Sequence, residues 1–359
     1  MLSLISVGPS ESKYLIPRVA KNALSPASRF GRFILHPRRI CLRFAGESHG
    51  LTEADLLVLQ RELCLKDIRR ISLTQFTEGF CNSVFKITSQ DGVYVVKKYS
   101  ALSKMRTGMQ SCVQTHRALA GSGLTPLFVA STEDIIVSQY LEGDVLREES
   151  MTNDTFHEPL AALITTLHSL EMADNDALIW SWLHQMTLEL QQRKGAISGH
   201  ISLQELTEEI FRVESIFQKV DIHVCFCHGD LKPSNIIHEQ KGSMKLIDID
   251  LAGPNYRGFD SMKLFRTSEK LFYDAALLSF LDSYHRRAEL SKFTVSELFY
   301  EAQMCEVLTW LEAALFFATL STMDTETERN AALFHDRWSH YRRTRWKLEY
   351  FGNLLQKRT

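Results

Sequence analysis

The sequence predicts an α+β protein of two lobes: a small antiparallel β lobe with one packed helix, then a larger, mainly helical lobe. Three observations point there. Short strand-like runs cluster between residues 71 and 140. Asp91-Gly92 sits between two of them, and its glycine accepts the positive φ of a tight hairpin. Beyond residue 142 the apolar spacing becomes helical, with two short β segments interrupting it.

Residues 1–50 form a basic N-terminal extension, after which Thr52-Glu53-Ala54-Asp55 opens a helix with a capping residue and acids in its first turn. Strands are expected at 71–76, 83–88 and 93–99, with Glu78-Gly79-Phe80-Cys81-Asn82 turning between the first two. A helix over 101–120 stops at Gly121-Ser122-Gly123, and strands follow at 127–130 and 135–140. Residues 51–141 make the first lobe and residues 142–359 the second. There, helices are expected at 155–170, 176–192, 203–220, 296–321 and 328–355, and β segments at 223–227 and 244–249. A β-rich lobe, a hinge and a helical lobe is the bilobal protein-kinase-like architecture.

Composition narrows the function classes. Hydrophobic residues at 45% and charged residues at 23% fit a globular chain with a large core. A net charge of −2 gives no reason to expect a nucleic-acid partner. No apolar run reads as a transmembrane segment; the most apolar stretch, 308–323, contains Glu312 and reads as a core helix. Seven irregularly spaced cysteines fit a reducing, cytoplasmic compartment better than a disulfide scaffold. Cys225 and Cys227 lack a second ligand pair at zinc-like spacing and read as core. The first 45 residues carry eight Lys or Arg and one acid, Glu11. That bias fits an organelle-targeting peptide, a basic tail on a membrane surface, or an extension without a role. Oligomeric state is not legible.

The chemistry gathers in His228-Gly229-Asp230-Leu231-Lys232-Pro233-Ser234-Asn235. Phosphoryl transfer needs a positioned hydroxyl, a carboxylate near its proton, metal ligands and cations for the phosphates. Asp230 is the candidate base and Lys232 a cation for the transferring phosphate. Asn235 can turn an amide oxygen to Mg²⁺, and Asp248 brings a hard carboxylate to the same cleft. Asp and Asn also cap turns, yet that alternative does not account for Asp230, Asn235 and Asp248 together.

These motifs resemble the aminoglycoside phosphotransferase and choline/ethanolamine kinase superfamily. The resemblance covers about residues 70–350 and rests on HGDLKPSN at 228–235, LIDID at 246–250 and NYRGFD at 255–260. It implies ATP and Mg²⁺ as cofactors, Asp230 as base, and Asn235 and Asp248 as metal ligands. Asp260 is expected to anchor the loop. Gly79 and Asn82 resemble a phosphate loop, although a plain hairpin turn fits equally. Lys97 becomes the cation for the α/β-phosphates, and Gln139 and Leu141 the hinge against adenine. By the same analogy Lys97 pairs with a carboxylate on helix 101–120. That helix has none, offering Gln110, Gln114 and Cys112 instead.

The resemblance also implies an acceptor pocket with Asp250, Trp310, Trp338 and Tyr341, the aromatics facing a quaternary ammonium. Packing of the helical lobe is the other reading of those aromatics, and a plain structural role is the other reading of Asp250. Ala313 departs from the choline-kinase pattern, and Lys263 and Arg266 suit a polar or anionic acceptor better than a cationic one. Three functions compete: a kinase for choline or ethanolamine, a kinase for an aminoglycoside, sugar or other hydroxylated metabolite, and a degenerate nucleotide-binding regulatory module.

Overall fold

The computed structural model describes residues 38–40, 50–63, 71–76, 81–193, 201–266, 273–323 and 326–357. The N-terminal lobe is one antiparallel sheet built from β1 (Arg38–Ile40), β2 (Ser72–Phe76), β3 (Ser83–Thr88), β4 (Val93–Lys98), β5 (Phe128–Ser131) and β6 (Ile135–Gln139). The strand order is β1-β2-β3-β4-β6-β5. Residues 38–40, placed in the basic extension by the sequence, therefore add an edge strand against β2.

Helix α1 (Glu53–Glu62) starts with a reciprocal cap: Asp55 N–H donates to Thr52 Oγ1 at 3.1 Å, and Thr52 N–H donates to the Asp55 carboxylate at 2.7 Å. Its Leu56 and Leu59 pack on one sheet face with Leu73, Phe85, Ile87, Val96 and Val137. The expected helix over 101–120 is two, α2 (Ala101–Thr107) and α3 (Met109–Ala120). Gly108 divides them at φ 72°, a left-handed conformation that favours glycine and ends α2. Helix α3 covers the second sheet face, where Cys112 and Val113 meet Tyr99, Phe128 and Ile136. Strand alternation thus sends Lys98 toward α1, where it pairs with Asp55 at 2.7 Å, and Lys97 to the opposite face.

The second lobe carries β7 (Gly143–Val145), α4 (His157–His168), α5 (Leu178–Arg193), α6 (Leu203–Phe217), β8 (Val224–Cys227), β9 (Ile236–Glu239), β10 (Met244–Leu246), β11 (Gly253–Tyr256), α7 (Arg257–Phe265), α8 (Tyr273–Arg287), α9 (Val295–Ser321), α10 (Thr327–Thr344) and α11 (Trp346–Gln356). Two small sheets, β10-β9-β7 and β11-β8, carry the loops of the site. Strands β7, β9 and β11 and helices α7 and α8 were not legible in the sequence. The strands have only three or four residues, and α7 hides its apolar face among polar residues that are buried and paired.

Helix α9 runs through the core. By length and apolarity its 27 residues would suffice to cross a membrane, but 83% of its apolar window is buried inside the protein. That burial comes from packing against α5, α7, α8, α10 and α11, as in a core helix.

Candidate active site

The loop after β8 is fixed from below. His228 is fully buried; its Nε2 donates to Ile247 O at 2.9 Å while Nδ1 accepts Asp230 N–H at 3.2 Å. Gly229 lies at φ 80°, where a Cβ would stand 2.3 Å from Leu251 O, so only glycine fits. Asp260, fully buried at the start of α7, accepts His228 N–H at 2.6 Å and Gly229 N–H at 3.0 Å, with His168 Nε2 at 3.3 Å. These bonds make Asp260 the anchor of the loop.

Asp230 rises from that base with its side chain a quarter exposed. Lys232 Nζ and Lys263 Nζ each stand 3.2 Å from its carboxylate, and Asn235 Nδ2 is 3.4 Å away. Burial works to raise its pKa, but the ammonium groups of Lys232 and Lys263 outweigh it and hold the carboxyl far below the ordinary carboxylate range. Asn235 is buried, and its Nδ2 donates to Asp230 O at 2.8 Å, which fixes the amide plane. Ile247 N–H donates to Asn235 O at 2.9 Å, tying the neighbour of Asp248 to the loop. Asp248 itself is exposed and sits at φ 60°, a strained conformation for a non-glycine residue that is frequent at functional sites. Asn235 and Asp248 present hard oxygen donors of the kind Mg²⁺ takes.

On the N-lobe side Lys97 bridges Asp248 and Asp250, the latter at 2.6 Å. Burial pulls its pKa down, yet the two carboxylates prevail and raise it strongly, so the ammonium stays charged. Asp250 also takes Tyr99 Oη–H at 2.5 Å, His116 Nε2 at 3.4 Å and Asn82 Nδ2 at 3.4 Å. Burial opposes ionisation of Asp250, and Lys97 and His116 more than reverse it. Asn82 in turn accepts Ser100 N–H at 3.0 Å. The carboxylate expected on helix 101–120 is thus replaced from the other lobe: Asp250 holds Lys97, and α3 contributes His116 rather than a glutamine. These bonds favour the structural reading of Asp250 over the acceptor one, since its oxygens face β4 and α3. Gly79 lies outside the described residues. Gln139 and Leu141 flank the crossover between lobes, with Gln139 N–H donating to Leu127 O at 2.9 Å.

The three acceptor aromatics do not form an open cage. Tyr341 is fully buried and its hydroxyl donates to Glu209; Trp338 is buried against it, with ring centroids 4.9 Å apart. Trp310 is 3% exposed, stacked on His340 at 4.3 Å and met by the Arg266 guanidinium at 4.1 Å. Large rings in a helical lobe gain most by packing together, and these do. A cluster of charge occupies the space beside Asp230 instead. Lys263 Nζ bonds Glu312 at 2.8 Å, and Arg106 reaches Glu312 from α2 at 2.7 Å.

A family model described as choline/ethanolamine kinase matches residues 73–307, about two thirds of the chain. The chain belongs to the choline/ethanolamine kinase family. Human ethanolamine kinase 1 is 22% identical over 234 residues, 60% of this chain and 50% of that protein. The chain therefore spans about half the length of that curated relative. An ethanolamine kinase from Plasmodium vivax shares the fold with a TM-score of 0.68 at 14% identity, over 80% of this chain and 86% of that one. A choline kinase from Streptococcus pneumoniae, also solved with AMP, aligns with a TM-score of 0.64 at 16% identity, over 83% of this chain and all of the other.

Within this family frame, Tyr99, His116, Arg106 and Glu312 are site residues that sequence reasoning did not assign. Glu312 carried a readable signal, because an acid inside the most apolar helix must be paired. Tyr99, His116 and Arg106 offered none, since their partners lie more than a hundred residues away. Cys225 and Cys227 lie in the core, as expected. Their Sγ atoms are 3.6 Å apart, and Cys227 donates to Asn255 O at 3.4 Å.

Proposed function

We propose that this chain transfers the γ-phosphoryl group of ATP to the hydroxyl of a small molecule. The single observation that carries the reading is Asp230: an ionised, partly exposed carboxylate on a loop pinned by Asp260, with Asn235, Asp248 and Lys232 beside it. The acceptor oxygen attacks the γ-phosphorus, the bond to the β-phosphate oxygen breaks and ADP leaves. The hydroxyl proton passes to Asp230 and then to water. A carboxylate this acidic is a weak base, which suits orienting the hydroxyl in a loose transition state where the proton leaves late.

Lys232 Nζ stands 3.2 Å from the Asp230 carboxylate and would support the transferring phosphate. Asn235 and Asp248 would hold Mg²⁺, which when bound neutralises phosphate charge and aligns the leaving group. Lys97, held by Asp250, would meet the α/β-phosphates. This pairing supports an active enzyme over a regulatory module, because a Lys97 without a carboxylate partner would have favoured the latter. Ethanolamine and choline, for which the relatives are named, are the first acceptors to assay. The test is transfer of labelled γ-phosphate from Mg-ATP to a panel of alcohols; nucleotide binding without transfer to any of them rules the reading out.

A further inference from the structure

Strand β8 ends at Cys227, and the catalytic loop starts at the next residue. Cys225 and Cys227 alternate onto one face of that strand, with their Sγ atoms 3.6 Å apart. Helix α4 brings His168 to the same face from 59 positions before Cys227, with Nε2 3.9 Å from the Cys227 sulfur. All three donor atoms lie within 4.8 Å of one another. A triangle with edges of 3.6 Å, 3.9 Å and at most 4.8 Å has a point in its plane equidistant from its corners. That point is about 2.1–2.4 Å from each donor, the range of zinc–imidazole and zinc–thiolate bonds. Buried cysteines alone pack as small apolar groups, and both thiols here are buried. His168 does not fit that account, because its side chain is 4% exposed and sets a polar nitrogen against sulfur. Asp260 does not fully explain it either. Its oxygen is 3.3 Å from Nε2, beyond the ~2.7–3.2 Å of an ordinary N–H···O bond, and already accepts loop N–H groups. On the other side of the ring, Nδ1 stands 2.9 Å from Tyr284 Oη. That contact fixes the imidazole with Nε2 toward the sulfurs, as outer partners do for metal-ligating histidines.

We propose that His168, Cys225 and Cys227 form a buried site for one soft d¹⁰ cation, Zn²⁺ or Cu⁺, which staples α4 to the strand leading into the catalytic loop. Two thiolates with an imidazole are donors that both ions take, whereas Mg²⁺ takes hard oxygens of the kind Asn235 and Asp248 present. Binding displaces the two thiol protons and any proton on Nε2 to water, with no change of oxidation state. Nδ1–H then donates to Tyr284 Oη, and Asp260 keeps both loop N–H groups, so the loop stays anchored. The role is structural, and it does not depend on which acceptor the chain phosphorylates.

The test uses the full chain, purified under reductant, stripped with a chelator and titrated with Zn²⁺ or, anaerobically, with Cu⁺. The expected result is one ion bound per chain in at least one arm, with a raised melting temperature. X-ray absorption at the edge of the bound ion should report two sulfurs together with nitrogen, a reading that needs no variant. Cys225→Ala, checked for folding by circular dichroism, should weaken binding by about a hundred-fold or more, since even outer partners are worth ~10–100-fold. Tyr284→Phe keeps all three donors and should weaken it by about ten-fold. A chain that takes up neither ion at micromolar concentration overturns the proposal and leaves the cluster as core packing. A shell of oxygen and nitrogen alone overturns it too, as does a folded Cys225→Ala variant that holds the ion with native affinity.

Discussion

Asp260 decides where the catalytic loop sits, and Asp260→Asn exposes that role. The native carboxylate is fully buried and accepts two backbone N–H groups, His228 at 2.6 Å and Gly229 at 3.0 Å, with His168 as a third neighbour at 3.3 Å. Asparagine keeps one acceptor oxygen and turns an NH₂ toward the other donors. One charge-assisted hydrogen bond, worth roughly 1.5–3 kcal/mol, is then lost, and a buried N–H is left unsatisfied at a cost of roughly 1–3 kcal/mol. A loss of about 2.5–6 kcal/mol is a large part of the ~5–15 kcal/mol that keeps a domain folded. The loop carries Asp230, so a displacement of about 1 Å should also lower turnover about a hundred-fold. Urea unfolding followed by circular dichroism, with phosphate transfer at a temperature where the variant is folded, measures both. A variant matching the native midpoint and turnover within two-fold would refute the anchoring argument.

Lys97→Ala should raise the KM for ATP and also lower the melting temperature, because Asp248 and Asp250 then face each other uncompensated; if neither changes, Lys97 is only a strand residue. The pH dependence follows from three carboxyls whose folded pKa is depressed: Asp230, Asp250 and Glu312, where burial is outweighed by Lys232, by Lys97 and by Lys263 respectively. Their stabilisation is complete above the unfolded value near 4 and is lost as pH falls toward the folded values. The urea midpoint should therefore stay level from neutral pH to about 5 and fall below about 4. Asp250→Asn should flatten that fall, and an unchanged slope contradicts the assignment. Tyr341→Phe should cost about 1 kcal/mol through the lost bond to Glu209 and leave the acceptor KM unchanged; a raised acceptor KM would return Tyr341 to the acceptor pocket.

Local signals were legible in the sequence and partnerships across the chain were not. Thr52 with Asp55 and Asp91-Gly92 act within a few residues, so the cap and the hairpin could be read directly. Alternation along β4 placed Lys97 and Lys98 on opposite faces for the same reason. The loop 228–235 showed its chemistry because four functional side chain types stand within eight residues. Lys97, by contrast, finds its carboxylate at Asp250, 153 positions on, and no spacing rule reaches that far. Helix α7 was missed because polar residues read as solvent-facing, whereas Arg257 is buried against Glu301 at 2.6 Å and Lys263 against Glu312. Trp310, Trp338 and Tyr341 had the composition of a cation cage, but composition does not show which faces remain open.

The most direct test of the central claim sets Asp230→Ala beside the native chain in one assay of labelled γ-phosphate transfer from Mg-ATP, scored against the acceptor that the native chain uses best. Asp230 is partly exposed, and Lys263 keeps Glu312 as a partner, so the variant should remain folded, at a lower urea midpoint, and bind ATP normally. Transfer should fall by about 10²–10⁴-fold, the range lost with a positioned acid–base group. A folded Asp230→Ala variant that turns over near the native rate would contradict the account.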